Sequence, residues 1–343
     1  MKILYIGELY YGSSCLMRMN ALKGLGHDVT GVNILPLNSK LKKFLERVNY
    51  RLSYKFDFEK LNNKIIDEFN KQIFDIVWID KGNRIYPETL QELKKINPAT
   101  KLVHINPDDP FGKFRTGWKT FITAIPFYDI HFVAREVNIS EYLEKGAKKV
   151  FVYDRSYDPE IHKPIELSEE EKKKYYCKVG FIGSWAEARE KSIAYLIDNG
   201  IEVTVWGNGW DKGKYWNRIK KYFRGTGLIG LEYSKAINGM EIALHFLRKE
   251  NRDEQDSRTF EIPACGTFMI AERTKKHEEL FKENEEAVFF DNDEELLKKV
   301  NYYLINVDER IRIAKNAYNR SKSSGYTHKE RLNKLIISVE NGS

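Results

Sequence analysis

The sequence predicts an α/β protein built from two doubly wound halves, each a parallel sheet with helices on both faces. Short apolar runs alternate with helical patterns along most of the chain, which is typical of βαβ units. The alternation occurs twice, on either side of a polar segment. Polar side chains follow directly after most of the apolar runs. These observations predict two Rossmann-like domains that face each other across a ligand-binding cleft.

The first half, residues 1–160, contains the first set of apolar runs. The predicted strands are 2–7, 28–34, 75–80, 101–106, 130–134 and 150–153, with helical patterns such as 15–25 and 88–95 between them. Each run is short and is bounded by polar or turn-forming residues, so we expect strands of one sheet rather than buried helices.

A polar linker is predicted at 161–176, which contains Pro164, a charged run at 169–174 and little periodic apolar content. The second half, 177–325, follows it. Its predicted strands are 179–182, 202–206, 242–247, 267–271 and 287–290, and its predicted helices lie around 187–199, 233–239, 258–265, 275–281 and 293–304.

Two terminal helices rich in Arg and Lys are predicted at 308–323 and 326–340, with Gly325 between them. We expect the last segment, 326–343, to pack back on the first half.

Composition excludes several classes of protein. Of the 343 residues, 42% are hydrophobic and 13% aromatic, which is enough for sizeable cores and excludes disorder as a class. The three cysteines lie far apart without a C-x-x-C pair, so neither a disulfide framework nor a zinc site is expected. The apolar runs are too short to span a membrane, and the N-terminus is strand-like, so we expect a cytoplasmic protein.

Positive charge is concentrated in the first half. Residues 1–165 hold 26 Lys and Arg against 20 Asp and Glu, and the stretch 37–55 is a nearly amphipathic basic pattern in which only Glu46 is acidic. Such a helix can lie on the inner face of an anionic membrane, or it can be a solvated helix packed on its own domain. Both interpretations stay open.

The carboxyl ends of parallel strands are where open α/β sheets bind ligands. Loops are polar for other reasons as well, so a single position carries little weight, whereas the same pattern in two halves favours a ligand cleft. The residues at these positions include Glu8, Lys81, Asp108, Asp109, Arg135, Gly183, Ser184, Gly207, Asn208 and Arg248.

One of these turns suits a diphosphate. Gly183 and Ser184 lie where a strand turns into a helix, and Arg189 follows in its first turns. A glycine lets the backbone approach an anion, the helix N-terminus offers free N–H groups, and a guanidinium binds phosphate oxygens. The sequence contains no Walker pattern, and the glycines at 207, 209 and 213 miss the G-x-G-x-x-G spacing by one residue.

The segment 253–271 contains the most specific pattern. Ser257 or Thr259 can cap a short helix that carries Glu261 in its first turns, and Gly266 can end it before a buried strand. A carboxylate in that position can accept hydrogen bonds from both hydroxyls of a ribose. It can equally be a first-turn acid favoured by the helix dipole, an effect of up to about 1 kcal/mol.

The segment 257–271 resembles the nucleotide-sugar motif of GT-B glycosyltransferases, in particular the group related to the spore maturation protein CgeB. In related GT4-type enzymes, an acidic residue, seven other residues and a glutamate precede a small-residue helix that ends in Cys-Gly. Asp253 and Glu261 have this spacing, with Asp in place of the first Glu. Further similar motifs lie at 12–14 with Arg18, at 21–27, 106–110 and 180–185, and at 326–328.

The resemblance implies roles for the second half. Glu261 would hold the ribose, Asp253 would face the donor sugar, and arginines would neutralise the diphosphate, whose charge grows in the transition state. The residues implied in donor binding are Gly183, Ser184, Arg189, Gly207, Asn208, Arg248, Asp253, Ser257, Arg258, Thr259 and Glu261.

The first half would present the acceptor. Asp108, Asp109 and Glu8 are candidates for the general base that activates an acceptor hydroxyl, with His104 behind them. One of the two aspartates can instead cap the turn between the flanking prolines. Gly12, Ser13, Arg18, Lys81 and Arg135 are candidates for the acceptor or phosphate side, although Arg18 and Lys81 can equally form surface ion pairs.

The sequence therefore predicts a glycosyltransferase of polysaccharide biosynthesis. It would transfer a sugar from a nucleoside diphosphate sugar to a glycan, glycolipid or protein-linked acceptor. The aspartate pair lacks the D-x-D spacing of metal-dependent GT-A enzymes, so we expect no metal and no cofactor besides the donor. A nucleotide-sugar epimerase on the same fold and a non-catalytic nucleotide-sugar scaffold are the alternatives, and nucleic-acid binding is disfavoured.

Overall fold

The computed structural model describes residues 1–35, 44–45, 48–49, 56–57, 59–113 and 117–341. The chain divides into two compact units. The first unit comprises Met1–Asp154, Lys249–Arg252 and His328–Ser343, and the second comprises Arg155–Arg248 and Asp253–Thr327. The short segment Lys249–Arg252 therefore belongs to the first unit, although the chain on both sides of it belongs to the second.

The described part of the first unit contains one parallel sheet in the order β2-β1-β3-β4-β5-β6. Its strands are β1 Lys2–Gly7, β2 Asp28–Asn33, β3 Ile76–Asp80, β4 Lys101–Asn106, β5 Ile130–Val133 and β6 Val150–Val152. β3 is buried along its whole length, as expected of a strand covered on both faces. All strands predicted for this half are present.

Helices cover both faces of this sheet. They are Ser14–Gly24, Leu61–Phe69, Pro87–Ile96, Lys119–Ala124, Val137–Glu144 and the C-terminal His328–Glu340. Successive strand side chains point to opposite faces, so Leu4 and Ile6 belong to one core and Ile3 and Tyr5 to the other. The C-terminal helix packs into the second of these cores, beside the helix Ser14–Gly24.

The second unit contains a parallel sheet in the order β12-β11-β10-β7-β8-β9. Its strands are β7 Cys177–Ile182, β8 Val203–Trp206, β9 Phe223–Gly225, β10 Met240–His245, β11 Met269–Glu272 and β12 Val288–Phe290. The predicted strands are present. The sequence did not predict β9, because its three residues include an arginine and a glycine and form no apolar run.

The helices of the second unit are Glu169–Tyr175, Glu187–Asp198, Trp216–Ile219, Gly230–Asn238, Arg258–Ala264, Lys275–Leu280, Asp293–Ile305 and Val307–Ser323. The first of these lies in the segment 161–176, which was predicted to be a linker. Ser168 and Glu171 form a reciprocal capping box at its start, so the charged run is a capped helix of this unit.

Each sheet has one position at which the strand order reverses. β1 lies between β2 and β3, and β7 lies between β8 and β10. The connections that follow β1 and β3 run to opposite faces of the first sheet, and those that follow β7 and β10 run to opposite faces of the second. This divergence opens a crevice at the carboxyl ends of each pair of strands. The crevice in the first sheet is bordered by Gly7 and Asp80, and that in the second by Ile182 and His245.

The basic stretch 37–55, predicted as an amphipathic helix, lies mostly outside the described residues. Within it the structure describes Phe44, Leu45, Val48 and Asn49. No helix in the described ranges is both long enough and apolar enough to cross a membrane.

Candidate functional site

Arg189 lies at the crevice of the second sheet. It is on the first turn of the helix Glu187–Asp198 and is 3% exposed. Its terminal nitrogens donate to the carbonyl oxygens of Ser184, 3.1 Å away, and Phe246, 2.8 Å away, so it connects the segments that follow β7 and β10. Burial, with the neighbouring Arg258, lowers its pKa to about 10. Arg189 is therefore a buried cation at neutral pH.

Arg258 lies beside Arg189. The guanidinium carbons of Arg189 and Arg258 lie 5.6 Å and 5.9 Å from the centroid of the Phe181 ring. A terminal nitrogen of Arg258 donates to Oδ2 of Asp256 at 2.6 Å. Neither arginine Nε has a hydrogen-bond partner among the described residues. Two guanidinium groups with unused N–H groups therefore lie beside one aromatic ring, an arrangement suited to an anion.

Asp256 is the acidic partner in this cluster. Burial alone would raise its pKa, but Arg258, His245 and Arg189 hold the pKa well below its usual range. Its Oδ1 atom lies 2.8 Å from Nε2 of His245, the last residue of β10. The carboxylate therefore stays ionised and orients its neighbours.

Gly183 and Gly207 form the floor of the same crevice. A Cβ atom on Gly207 would lie 1.9 Å from the carbonyl oxygen of Gly183, and Gly207 has φ +151°. Trp210 also donates its ring N–H to the Gly183 oxygen at 2.9 Å. Gly207 is buried, and any side chain there would displace this turn, so the position requires glycine. The predicted residues Ser184 and Asn208 are exposed on either side.

Glu261 lies on the helix Arg258–Ala264 and its side chain is 14% exposed. The Tyr233 hydroxyl donates to Oε2 at 2.7 Å, and Nε2 of His162 lies 3.6 Å from Oε1. Glu261 also interacts electrostatically with Arg258. The predicted ribose-binding carboxylate and the predicted diphosphate arginines therefore lie in one region of the second unit.

The start of this helix differs from the prediction. The Ser257 side chain makes no capping bond, and Thr259 instead accepts a hydrogen bond from the backbone of Asp256 at 3.1 Å. Oδ1 of Asp256 accepts from the backbone N–H of Arg258 at 2.8 Å, so Asp256 performs the capping. Gly266 ends the helix region with φ +75°, as predicted.

Arg248 and Asp253 complete the predicted donor residues. Both are partly buried, Arg248 acts electrostatically on Arg189, and Asp253 acts on Arg258. Arg248 has no hydrogen bond or ion pair among the described residues. Its guanidinium is thus available to an incoming anion.

In the first unit, Arg18 is committed to a buried ion pair. Its Nε and a terminal nitrogen lie 2.8 Å and 2.7 Å from Oδ2 of Asp80, and the Tyr5 hydroxyl donates to the same oxygen at 2.7 Å. Arg18 is 5% exposed. This arrangement does not favour the predicted contact with an acceptor phosphate, because binding would have to break the pair.

Ser13 and Gly12 shape the start of the helix Ser14–Gly24. The Ser13 hydroxyl accepts from the backbone of Leu16 at 3.1 Å and donates to the carbonyl of Glu8 at 2.6 Å. Gly12 has φ +82°. Both have a local role in the turn, and Glu8 is partly exposed beside them.

Asp108 and Asp109 have different environments. Asp108 is one-third exposed and pairs with Lys81, whose Nζ lies 2.8 Å from Oδ2. Asp109 is buried, and it accepts hydrogen bonds from Arg252, Asn138 and the backbone of Phe111. Burial would raise the pKa of Asp109, but these donors lower it. Asp108 is therefore the more accessible carboxylate of the two.

Arg135 and His104 have structural contacts. Both terminal nitrogens of Arg135 lie 3.3 Å from the carbonyl oxygen of Pro107, which fixes the turn that carries the two aspartates. His104 is fully buried among aromatic rings, and burial with the neighbouring His131 holds its pKa well below the usual range. The lowered pKa and full burial of His104 do not favour it as a general base.

Several residues near these sites were not predicted. Tyr233, Arg252 and Asp80 contact predicted residues that lie 28 to 143 positions away in the sequence. His245 contacts Asp256, which was not predicted either. The sequence offered one indication of such residues, namely that Asp80 and His245 are the last residues of strands. Among the described residues, no group of three or more His, Cys, Asp or Glu could hold a metal ion.

Comparison with known proteins adds independent findings. Residues 187–337 match a family model described as "Glycosyl transferase-like". The match covers less than half of the chain but includes Arg189, Arg258 and Glu261. No curated protein matches the sequence.

Several solved structures are similar along the whole chain. Alr3699/HepE from Anabaena, solved with UDP and glucose, has 14% identity and a TM-score of 0.68, covering 99% of this chain and 100% of that chain. Sucrose-phosphate synthase from Thermosynechococcus elongatus has 11% identity and a TM-score of 0.68, covering 100% of both chains. A candidate UDP-N-acetylglucosamine 2-epimerase from Listeria monocytogenes has 11% identity and a TM-score of 0.56, covering 99% of this chain and 96% of that chain. At these identities the likeness shows the fold, which is the GT-B fold of two Rossmann-like domains.

Proposed function

We propose that this GT-B protein is a glycosyltransferase that binds a nucleoside diphosphate sugar at the crevice of its second unit. One observation carries the proposal. Arg189 is buried and Arg258 is partly buried beside it on the Phe181 ring, and each has an Nε without a partner among the described residues. A diphosphate would accept hydrogen bonds from these unused donors and would match the positive charge of the two arginines.

The other parts of a nucleotide-sugar fit the same region. Glu261, held by Tyr233, would accept hydrogen bonds from the ribose hydroxyls. The glycine turn at Gly183 would let backbone N–H groups approach the phosphates. HepE, which was solved with UDP and with UDP-glucose, supports a uridine nucleotide as the first donor to test.

The reaction would proceed by displacement at the sugar. The acceptor oxygen forms a bond to the anomeric carbon while the bond from that carbon to the diphosphate breaks, and its electron pair leaves with the diphosphate. Arg189, Arg258 and Arg248 would stabilise the departing charge. Asp108 is our candidate to take the hydroxyl proton if the transfer inverts the configuration, because Asp109 is occupied by Arg252.

A panel of nucleoside diphosphate sugars tests the donor site by thermal stabilisation of the protein. A ligand present at a hundred times its Kd stabilises the fold by about 2.7 kcal/mol, which raises the melting temperature measurably. We expect UDP and one UDP-sugar to stabilise the wild type. If no nucleotide or nucleotide-sugar in the panel shifts the melting temperature, the proposal is wrong.

Two arginine variants make the test specific. Arg248→Gln should weaken UDP binding about tenfold, because it removes a charged partner of the diphosphate without breaking a contact in the described protein. Arg218→Gln is the control, since Arg218 pairs with Asp198 on the surface. Equal UDP affinity in Arg248→Gln and Arg218→Gln would contradict the assigned location of the diphosphate.

A nucleotide-sugar epimerase is the second candidate, because the Listeria monocytogenes structure shares the fold. An epimerase converts its substrate without an acceptor, whereas a transferase requires one. Products formed from a labelled UDP-sugar with and without acceptor glycans distinguish the two. Binding without any conversion would favour a non-catalytic scaffold instead.

A further inference from the structure

We infer that His245 is a positioning residue, which holds the Asp256 carboxylate so that Arg258 presents its free N–H groups to the diphosphate. The inference rests on the proposed function and adds a residue that makes no direct contact with the ligand. His245 would control how Arg258 is oriented, while the positive charge of Arg258 is present with or without His245.

His245 makes a single strong contact. It is fully buried at the end of β10, and its Nε2 lies 2.8 Å from Oδ1 of Asp256. Because Asp256 is ionised, it can only accept, so Nε2 carries the proton. Nδ1 has no hydrogen-bond partner in the described part of the chain, so the hydrogen bond to Asp256 is the one polar contact of the ring there.

The two oxygens of the Asp256 carboxylate accept hydrogen bonds from different donors. Oδ1 accepts from His245 and from the backbone N–H of Arg258, whereas Oδ2 accepts from the guanidinium of Arg258 at 2.6 Å. Donors on both oxygens fix the plane of the carboxylate. Without His245, Oδ1 would keep only the backbone donor, and the carboxylate could rotate about its bond to Cβ.

The fixed carboxylate determines where Arg258 points. One terminal nitrogen is held by Asp256, and the other lies 3.4 Å from the position of a Cβ atom on Gly183. The guanidinium is planar, so holding one edge directs the other. Its free edge therefore faces the glycine turn at which we place the diphosphate.

A second histidine fixes the backbone of the same segment. His277 bonds to Thr259 Oγ1 at 2.9 Å and to the Glu272 carbonyl at 2.7 Å, and Thr259 accepts from the backbone of Asp256. Burial and the neighbouring His245 lower the pKa of His277 to about 3, so it is neutral and makes these contacts as an uncharged ring. The backbone position is thus fixed by His277, and the side-chain orientation is left to His245.

The test compares UDP with uridine, which lacks the diphosphate. The Kd of each is measured by calorimetry for the wild type, His245→Leu and His245→Gln. We expect His245→Leu to weaken UDP binding about tenfold, the effect of one charge-assisted hydrogen bond, and to leave uridine binding unchanged. His245→Gln, whose amide N–H can donate to Asp256, should recover most of the UDP affinity.

Each other outcome has a definite meaning. An unchanged ratio of UDP to uridine affinity in His245→Leu would overturn the positioning role, and so would equal losses for both ligands, which indicate general disruption of the site. If the wild type binds neither UDP nor inorganic pyrophosphate, the proposed function falls and this inference falls with it. Melting temperatures of both variants, measured without ligand, show whether they are folded.

Discussion

Asp108 and Asp109 are adjacent in the chain, but their side chains serve different purposes. Asp109 contacts Arg252, which is 143 positions away, together with Asn138. Asp108 is partly exposed and contacts Lys81. The sequence predicted that one of the two would be structural, but it could not say which, because the deciding partner lies in a distant segment.

Asp109 should make the stability of the protein depend on acid pH. Its pKa is lowered in the folded state, so its contribution is present at neutral pH and is lost as the pH falls through the folded value. We expect Asp109→Asn to lower the free energy of unfolding at pH 7 by about 1–3 kcal/mol. The free energy of unfolding of this variant should also depend less on pH below about pH 4 than that of the wild type. Urea unfolding between pH 3 and pH 7 measures both effects.

Asp108→Asn is the matched variant for this prediction. It should leave the free energy of unfolding within about 0.5 kcal/mol of the wild type, because an exposed pair contributes little. If Asp108→Asn proved more destabilising than Asp109→Asn, the roles assigned to the two carboxylates would have to be exchanged.

Gly207 should tolerate no side chain. Gly207→Ala places a Cβ atom 1.9 Å from the Gly183 oxygen at φ +151°. We expect the free energy of unfolding to fall by about 2–4 kcal/mol, and UDP affinity to fall with it. Gly24→Ala is the control, because a Cβ atom there meets nothing within 4 Å. Similar melting temperatures for the two variants would contradict the close approach of the two turns.

The strands and helices differ in how well the sequence indicates them. Central strands such as β3 are buried on both faces, so their sequences are continuously apolar and their ends were predicted to within two residues. The strand β9 and the helix Glu169–Tyr175 are short and polar. β9 forms because it pairs with the neighbouring strand β8, and the helix Glu169–Tyr175 begins at a capping box. Neither feature requires an apolar run in the sequence.

The C-terminal helix His328–Glu340 contributes to the core of the first unit. Ile336 is 2% exposed and packs with Leu332 and Val339, whereas its neighbour Ile337 is 46% exposed. Ile336→Ala should lower the free energy of unfolding by about 2–4 kcal/mol, and Ile337→Ala should lower it by less than about 1 kcal/mol. Chemical denaturation of the two variants checks the difference, and equal losses would show that this face of the helix is not buried.

At the scale of the molecule, the sequence predicted both parallel sheets, and the ligand-binding edge that it also predicted is the basis of the proposed function. It did so because parallel sheets follow simple rules of burial and connection. The chemistry at the edge depends on contacts between distant segments, such as Asp256 with His245 or Arg18 with Asp80. Such contacts produce no periodic pattern in the sequence. The sequence therefore indicates candidate residues at the strand ends more readily than it indicates which partners they contact.

The proposed reaction should not require a divalent cation. In the proposed reaction, Arg189, Arg258 and Arg248 would supply the positive charge that Mg²⁺ or Mn²⁺ supplies in metal-dependent transferases. We therefore expect sugar transfer from the preferred UDP-sugar to persist, within about twofold, after dialysis against EDTA. Loss of activity that is restored by Mn²⁺ would show that the arginines do not suffice.

The assignment of Lys249–Arg252 to the first unit limits how the protein can be divided. The backbone passes between the two units at 154–155, 248–249, 252–253 and 327–328. A recombinant fragment spanning 155–327 would therefore carry Arg252 without Asp109 and Glu141, its partners. Expressing the second unit alone would need a redesigned loop in place of these four residues. A protease that cut only at 154–155 would leave both units covalently joined.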